Sequence, residues 1–264
     1  MAKRWLTLLL LPLLATEAPL ATAQQSPEEK GLAIYQEIDR RDRGWGDEVA
    51  KVKMVLRNAH GQESLRENRM KTLEVDGDGD KTLIVFDSPR DIAGTAFLTF
   101  SHSVKPDEQW MYLPALKRVK RISSSNKSGP FLGSEFAYED ISSEEVDKYR
   151  YKYLRDEVVD GHDCFVVERY PLYKHSGYTR QVTWVDKEIY RLRKIDFYDR
   201  KNRLLKTLQF KGYKQYLGKY WRPSELEMVN HQTGKSTTLY WQDYQFQTGL
   251  SARDFDRNSL KRAR

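Results

Sequence analysis

Residues 94–141 read GTAFLTFSHSVKPDEQWMYLPALKRVKRISSSNKSGPFLGSEFAYEDI, and this stretch decides how the rest of the chain has to fold. Residues 96–100 and 109–113 are apolar runs of strand length, separated by the turn residues Lys105, Pro106 and Asp107. A basic run follows at 117–122, and then a loop rich in Ser and Gly. Aromatic, cationic and glycine-rich segments together suit an amphipathic ligand. We therefore expect this stretch to form one wall and part of the mouth of an apolar cavity.

The basic run predicts an edge strand, because alternation places cations on both of its faces. Lys117, Arg118, Lys120 and Arg121 are the expected rim and docking cations. In the loop that follows, Phe131 and Leu132 are apolar residues that must either pack inside the protein or contact a partner.

The first residues have the pattern of a cleavable signal peptide. Lys3 and Arg4 precede an uncharged, leucine-rich run at 5–16, and a small-x-small sequence ends at Ala23. A membrane span would need roughly 20 apolar residues, and Pro12, Glu17 and Pro19 interrupt this run. We expect cleavage after Ala23, no lipid attachment because no cysteine follows it, and a single mature domain at 24–264 in the periplasm.

Net charge restricts the kinds of binding partner, and the cysteine content restricts the possible disulfides. The formal charge of +7 falls to about +6 when Lys3, Arg4 and Glu17 are removed. Export makes nucleic acid an unsuitable partner for this basic chain, whereas anionic lipid or an acidic protein complements it. Cys164 is the only cysteine and cannot form an internal disulfide, so we expect a small buried strand residue.

One helix is predicted after the leader. Ser26, Pro27 and Glu29 form a capping box before an apolar stripe that ends near Gly44. Strict alternation then predicts a strand whose buried face carries Ala50, Val52, Met54 and Leu56. A short helical or irregular connection is expected at 88–94, and a short helix is expected at 142–149 because Ser142 to Glu145 repeats the capping pattern.

Asp76, Asp78 and Asp80 allow a calcium interpretation, but a calcium loop needs Gly at its sixth and Glu at its twelfth position. This chain has Lys81 and Asp87 there, so a hairpin turn explains the aspartates better.

The last third of the chain reads as strands joined by short turns, which must lie antiparallel beside their sequence neighbours. The predicted strands are residues 164–170, 180–186, 189–198, 204–216, 220–229 and 236–246. Pro171 and Pro223 require an edge or a bulge. The resulting fold class is mainly β (α+β): an incomplete antiparallel β-barrel of about ten strands, with short helices that cap an apolar cavity.

Large aromatic residues are frequent on these strands, and each one taken alone is explained by core packing. The cavity therefore follows from the architecture as a whole. The residues that we expect at the cavity and its mouth are Phe97, Trp110, Tyr112, Leu113, Phe131, Leu132, Phe136 and Tyr138.

At these residues the sequence resembles the LolA-like outer-membrane lipoprotein-sorting family, and most closely a branch whose members look like partners of RND-type exporters. The matching pieces are Pro89 with GTAFL at 94–98, WMYLP at 110–114, RVKRI at 118–122, FLGSEF at 131–136 and YED at 138–140. The resemblance implies an incomplete barrel around an apolar cavity. It also implies a periplasmic carrier of lipid, lipoprotein acyl chains or another hydrophobic cargo between the inner and outer membranes, without a cofactor or metal.

Two other functions remain open. The loop 123–136 could dock on a membrane exporter without carrying cargo, with Phe131 and Leu132 as anchors. An enzyme is the third possibility, but the sequence contains no GxSxG, HExxH or Gly-rich phosphate loop. We therefore predict no catalytic residues.

Overall fold

A computed structural model describes residues 25–262, so the predicted signal peptide at 1–23 lies outside the described residues. These residues form one α-helix, α1 (Pro27–Arg41), and fifteen strands. The strands are β1 (Asp47–Arg57), β2 (Glu63–Leu73), β3 (Lys81–Ser88), β4 (Ala96–Phe100), β5 (Glu108–Leu113), β6 (Arg118–Arg121), β7 (Tyr149–Val159), β8 (His162–Pro171), β9 (Arg180–Asp186), β10 (Leu192–Tyr198), β11 (Leu204–Lys211), β12 (Lys214–Tyr216), β13 (Tyr220–Arg222), β14 (Glu225–Asn230) and β15 (Ser236–Phe246). Within residues 25–262, no helix has the length and apolar character needed to cross a membrane.

Thirteen strands form one antiparallel sheet that does not close into a barrel, in the order β6-β5-β4-β3-β2-β1-β15-β14-β11-β10-β9-β8-β7. The predicted mainly β, incomplete-barrel fold is confirmed, although the sheet has more strands than the expected ten or so. β1 pairs with β15, which joins an N-terminal and a C-terminal meander. β12 and β13 form a separate two-stranded ribbon.

The connection from β6 to β7 has to cross the sheet, because these two strands are its opposite edges. We call residues 122–148 the crossing segment. It runs along one face of the sheet, which we call the inner face, and places Phe131 and Phe136 in the main hydrophobic core. β6 is an edge strand, as its basic sequence predicted.

The two faces of the sheet carry different cores. On the inner face, residues such as Met54, Ile84 and Ile195 pack with Ile34 and Tyr35 of α1. Two smaller clusters lie on the outer face. One joins Leu83, Val85, Ala96, Leu98 and Trp110 to Phe255 and Leu260 of the C-terminal segment, and the other contains Cys164, Val166, Val182 and Trp184. Cys164 is thus a buried strand residue, as expected.

α1 begins as the sequence predicts. The Ser26 Oγ accepts a hydrogen bond from the Glu29 amide at 3.2 Å, and the Glu29 carboxylate accepts one from the Ser26 amide at 2.8 Å. Glycine at position 31 lets the helix lie directly against β7, since a Cβ there would be 2.9 Å from the Tyr153 amide nitrogen. A side chain at this position would separate the helix from the strand.

Neither of the two other segments expected to contain short helices forms an α-helix. Residues 89–94 form a turn that follows a cis Ser88–Pro89 bond, and residues 142–149 contain only the one-turn 3₁₀ helix Val146–Lys148. The expected capping box of Ser142 and Glu145 is absent because the Glu145 carboxylate accepts a hydrogen bond from the Ser143 Oγ at 2.6 Å, while the Ser143 amide donates to the Ser101 Oγ at 2.9 Å. These bonds satisfy Ser143 without a helix.

Two predicted strands are also interrupted. The strand expected at 204–216 breaks after Lys211, at Gly212, whose φ is 64°. The strand expected at 220–229 breaks at Pro223, which cannot donate to a ladder. The breaks separate the β12–β13 ribbon from the sheet.

We predict that Gly31→Ala destabilises the protein. Alanine favours a helix by about 1 kcal/mol over glycine, but overpacking against a backbone costs roughly 1–3 kcal/mol. The net loss should appear as a lower urea midpoint. The control is Gln36→Ala on the exposed side of α1, which should change stability by about 0.5 kcal/mol or less. Stabilisation by Gly31→Ala would show that α1 does not approach β7 this closely.

Candidate functional site

Aromatic packing fixes the middle of the crossing segment. The Phe131 ring lies 4.9 Å from the Phe97 ring and 6.1 Å from the Phe86 ring, between centroids, and Tyr138 stands edge-on to it at 5.9 Å. Phe131 is 1% exposed. This residue therefore belongs to the core, and it is not available as the exposed docking anchor that the loop composition suggested.

A buried ion pair holds the same segment to the C-terminal half of the sheet. The Lys206 ammonium lies 2.7 Å from the Asp140 carboxylate and also donates to the Glu135 carbonyl at 2.8 Å. The Tyr178 hydroxyl donates to Asp140 at 2.9 Å. Burial, together with the negative charge of Asp140, raises the pKa of Tyr178 far above its ordinary value. The hydroxyl therefore stays protonated and remains a donor.

A second buried carboxylate fixes the two ends of the crossing segment. Asp107, between β4 and β5, accepts from Lys148 at 2.6 Å and from Lys127 at 3.2 Å. Burial alone would raise the pKa of Asp107, but the two ammonium groups outweigh it and the pKa is lowered. The segment is thus tied to both halves of the sheet.

Between the crossing segment, α1 and the inner face lies a cavity of about 670 Å³. Its volume falls in the range of roughly 300–1,000 Å³ that is typical of small-molecule sites. Both halves of the sheet contribute to its apolar wall. The apolar lining includes Val52, Met54, Met70, Ile84, Phe131, Phe136, Ile195, Phe197, Leu208, Phe210, Leu226, Leu239 and Trp241.

The rest of the cavity wall is strongly polar, and its carboxylates outnumber its guanidinium groups. The carboxylates are those of Asp39, Asp42, Glu74, Asp76, Asp78, Asp80, Glu139, Asp140, Glu144, Glu145 and Asp147, and the guanidinium groups are those of Arg43, Arg169, Arg191 and Arg222. The cavity is therefore amphipathic, and its polar part has a net negative charge.

Burial changes the acidity of several of these carboxyl groups. It raises the pKa of Asp80 to about 7, and it also raises the pKa of Glu145. Asp78 behaves in the opposite way, because a hydrogen bond at 2.7 Å from the His102 ring lowers its pKa to about 2. Asp78, in the turn between β2 and β3, thus contacts His102 in the turn between β4 and β5, whereas Asp80 accepts a hydrogen bond from the Val75 amide at 3.3 Å. In the described part of the chain, no group of three or more His, Cys, Asp or Glu side chains is placed to bind a metal ion.

Six of the eight predicted cavity residues lie on the inner face. Phe131 and Phe136 line the cavity, and Phe97 packs in the core behind Phe131. Leu113, Leu132 and Tyr138 are partly buried against the same core.

The prediction that Trp110 and Tyr112 lie at the cavity is wrong. They belong to the outer cluster with Leu98 and Phe255, because alternation along β5 directs Met111 and Leu113 inward instead. Neither residue lines the cavity.

The four rim cations also lie elsewhere than expected. Lys117, Arg118, Lys120 and Arg121 are exposed on and beside the edge strand β6, and they are not among the residues that line the cavity. Leu116, in the turn before them, is 63% exposed. This edge is a separate surface, and the cavity wall obtains its cations from other parts of the chain.

Sequence reasoning missed the arginines of the cavity wall. Arg169 lies on the inner face of β8, is 2% exposed, and donates to Glu144 at 2.6 Å and to Gln181 at 2.5 Å. Arg191 and Arg222 both donate to Asp42, at 2.5 and 2.8 Å. The sequence did contain a signal for Arg169. This residue is two positions after Val167 on a largely apolar strand, so alternation places it on the same buried face, where a cation requires a partner.

Comparison with known proteins gives three close structural matches. The chain is 61% identical to a putative outer membrane lipoprotein-sorting protein domain from Vibrio parahaemolyticus, with a TM-score of 0.87 over 89% of this chain and 99% of that one. It is 32% identical to a DUF1329 family protein from Desulfovibrio piger, with a TM-score of 0.85 and the same coverage. A LolA superfamily protein from Nitrosomonas europaea shares the fold at 21% identity, with a TM-score of 0.69 over 86% of this chain and 98% of that one.

A family model with the description "Uncharacterized protein" matches residues 78–262. No curated protein matches the chain. The structural matches confirm the resemblance to LolA-like lipoprotein-sorting proteins that the sequence motifs indicated.

We predict that Lys206→Met unfolds the protein at a lower urea concentration, with a loss of about 3–5 kcal/mol, because it leaves Asp140 buried without its cation. The double variant Lys206→Met/Asp140→Asn should recover part of that loss. Lys235→Met is the control, since Lys235 is exposed and should contribute little. Equal stabilities for Lys206→Met and Lys235→Met would contradict the proposed anchor.

Proposed function

Because this chain belongs to the DUF1329 family and has the fold of LolA-like proteins, we propose that it is a periplasmic carrier that binds the acyl chain of a lipid, a lipoprotein or another hydrophobic cargo. It carries this cargo between the inner and outer membranes and catalyses no reaction. The name of the Vibrio parahaemolyticus relative, a putative outer membrane lipoprotein-sorting domain, supports this direction of transport.

The observation that carries the proposal is the cavity of about 670 Å³ with its apolar wall. Burying one CH₂ group contributes about 0.8 kcal/mol, so a chain of roughly ten methylenes binds usefully without a directed polar contact. Van der Waals contact with Met and Phe side chains depends little on chain identity. Such a wall suits a carrier whose cargo varies in length.

We predict that Met70→Trp weakens the binding of an acyl chain. Met70 is a half-buried residue of the cavity wall, and a tryptophan there takes the place of two or more methylenes. The affinity for N-phenyl-1-naphthylamine, a neutral fluorescent probe, should fall by about tenfold or more.

The matched control is Leu65→Trp, an exposed position on the outer face of the same strand. It should leave probe binding unchanged. The proposal also requires cargo in the native protein. If native mass spectrometry of detergent-free protein from the periplasm gave only the bare mass, and the wild type did not bind the probe, the carrier function would be rejected.

The edge formed by β6 supports a second role, in which this surface contacts an anionic membrane or an acidic partner such as an RND-type exporter. The supporting observation is that four exposed cations stand next to the exposed Leu116, away from the cavity lining. A surface of this kind combines electrostatic attraction with apolar contact. Docking and carrying can then be properties of one protein.

We predict that replacing Lys117, Arg118, Lys120 and Arg121 with Ser abolishes most association with phosphatidylglycerol vesicles in a sedimentation assay, because each cation near an anionic surface contributes about 1 kcal/mol. Probe binding in the cavity should remain. The charge-matched control replaces Lys105, Lys152, Lys174 and Lys214, which are also exposed. Equal losses in the two variants would mean that net charge, and not this edge, determines association.

A further inference from the structure

A second pocket, of about 640 Å³, borders the crossing segment, and Phe136 lines both this pocket and the cavity. We call it the turn pocket, because its wall includes the β10–β11 turn at 199–203 and Lys235 at the end of the β14–β15 turn. Its charge is opposite to that of the cavity. Five cations line it, Arg200, Lys201, Arg203, Lys206 and Lys235, with only two carboxylates, those of Glu135 and Asp199.

Hydrogen bonds hold the walls of the turn pocket together. The Arg200 guanidinium donates to the Ser128 Oγ at 3.4 Å and to the Ser176 carbonyl at 3.2 Å, which fixes the β10–β11 turn against the crossing segment. The Gln232 side-chain amide donates to the Asp199 carboxylate at 3.0 Å, so the β14–β15 turn lies against the β10–β11 turn. The cations of the two turns therefore surround one space before any ligand binds.

Two of the five cations are already paired with carboxylates. Arg203 lies 3.1 Å from Asp199, and the buried Lys206 lies 2.7 Å from Asp140. Asp140 does not itself line the turn pocket. When Asp140 is counted, five cations stand against three carboxylates, which leaves an excess of two positive charges.

The other three cations have no carboxylate partner within residues 25–262. Arg200 donates only to neutral oxygens, and the side chains of Lys201 and Lys235 make no ion pair or hydrogen bond there. All three side chains are exposed. Their combined positive potential attracts an anion, and an anion that binds them does not have to break a buried ion pair.

The charge and the size of the turn pocket indicate which anion fits. A phosphate monoester carries about 1.5–2 negative charges at neutral pH, and the planar guanidinium of Arg200 suits its oxygens. A phosphate group alone occupies only a small part of 640 Å³. The Ser128 hydroxyl and the Glu135 carboxylate, which also line the pocket, are suitable partners for hydroxyl groups on the rest of the ligand.

We propose that the turn pocket binds the phosphate group of a phosphorylated polyol, with Arg200, Lys201 and Lys235 as the cations that contact it. The same chemical group occurs in a lipid headgroup and in free glycerol phosphate, and the experiment below separates these two sources. The site is distinct from the cavity, and it does not depend on the proposed carrier function.

Isothermal titration calorimetry of the mature chain in low salt, at about pH 8 where a phosphate monoester is doubly charged, tests the site. The ligands are glycerol 3-phosphate, glycerol as its neutral match, and dihexanoyl phosphatidic acid below its critical micelle concentration. We expect saturable binding of glycerol 3-phosphate and none of glycerol. If the source is a lipid, the phosphatidic acid should bind about tenfold or more tightly, because its chains bury apolar surface. Equal affinities would identify a free phosphorylated polyol as the source.

The variant Arg200→Gln/Lys201→Gln/Lys235→Gln removes the three unpaired cations. Its affinity for glycerol 3-phosphate should fall by about tenfold or more. The double variant Lys201→Gln/Lys235→Gln should also bind more weakly. Because these two side chains make no hydrogen bond within residues 25–262, the double variant keeps every contact that holds the pocket together.

The charge-matched control is Lys105→Gln/Lys152→Gln/Lys214→Gln, which changes three exposed lysines outside the turn pocket and should bind glycerol 3-phosphate as the wild type does. The site is wrong if glycerol 3-phosphate does not bind the wild type, or if the control loses as much affinity as the triple variant of the turn pocket.

Binding of N-phenyl-1-naphthylamine to the same wild-type samples reports separately on the cavity, which none of the three unpaired cations lines. Failure of glycerol 3-phosphate alone would overturn the turn-pocket site and leave the carrier function intact. Failure of the probe alone would count against the carrier function and leave the turn-pocket site intact.

Discussion

The pairing of the first strand with the last determines the architecture of this protein. β1 and β15 pair antiparallel from Glu48↔Phe246 to Arg57↔Ser236, and this ladder joins two meanders that would otherwise be separate sheets. It also places β6 and β7 at opposite edges, so that the chain between them must cross the inner face. Val52 and Met54 on β1, and Leu239 and Trp241 on β15, line the cavity on the two sides of this seam.

Because the crossing segment is long and irregular and passes through the core, its polar backbone and side-chain groups need hydrogen-bond or ion-pair partners. Lys206 and Asp140 supply one set of partners, and Asp107 with Lys127 and Lys148 supplies the other. A buried ion pair of this kind contributes little net stability compared with apolar packing. Its effect here is positional, because it holds Phe131 and Phe136 at one wall of the cavity and keeps the crossing segment from filling the space beside them.

The sequence predicted those features of the fold that depend on residues close together along the chain. Alternation identified the strands, the capping box of Ser26 identified α1, and cations on both faces identified β6 as an edge. It did not predict the β1–β15 ladder, because its partners are about two hundred positions apart along the chain and no local pattern encodes them. For the same reason, the sequence suggested an aromatic site without showing which rings point inward. Trp110 and Tyr112 point outward, and the polar wall comes from residues as distant as Asp42, Arg169 and Arg222.

Under the proposed carrier function, the two parts of the cavity wall place different demands on a cargo. Contact with the apolar part depends on buried area, so its free energy grows with chain length and discriminates little between chains. The polar part has more carboxylates than guanidinium groups, and Arg169, Arg191 and Arg222 are already paired with carboxylates, so a charged headgroup would have to disturb buried ion pairs. Under the proposed function, breaking such a pair costs more binding free energy than losing a methylene or two from the chain. Chain length then sets only how tightly an accepted cargo is held.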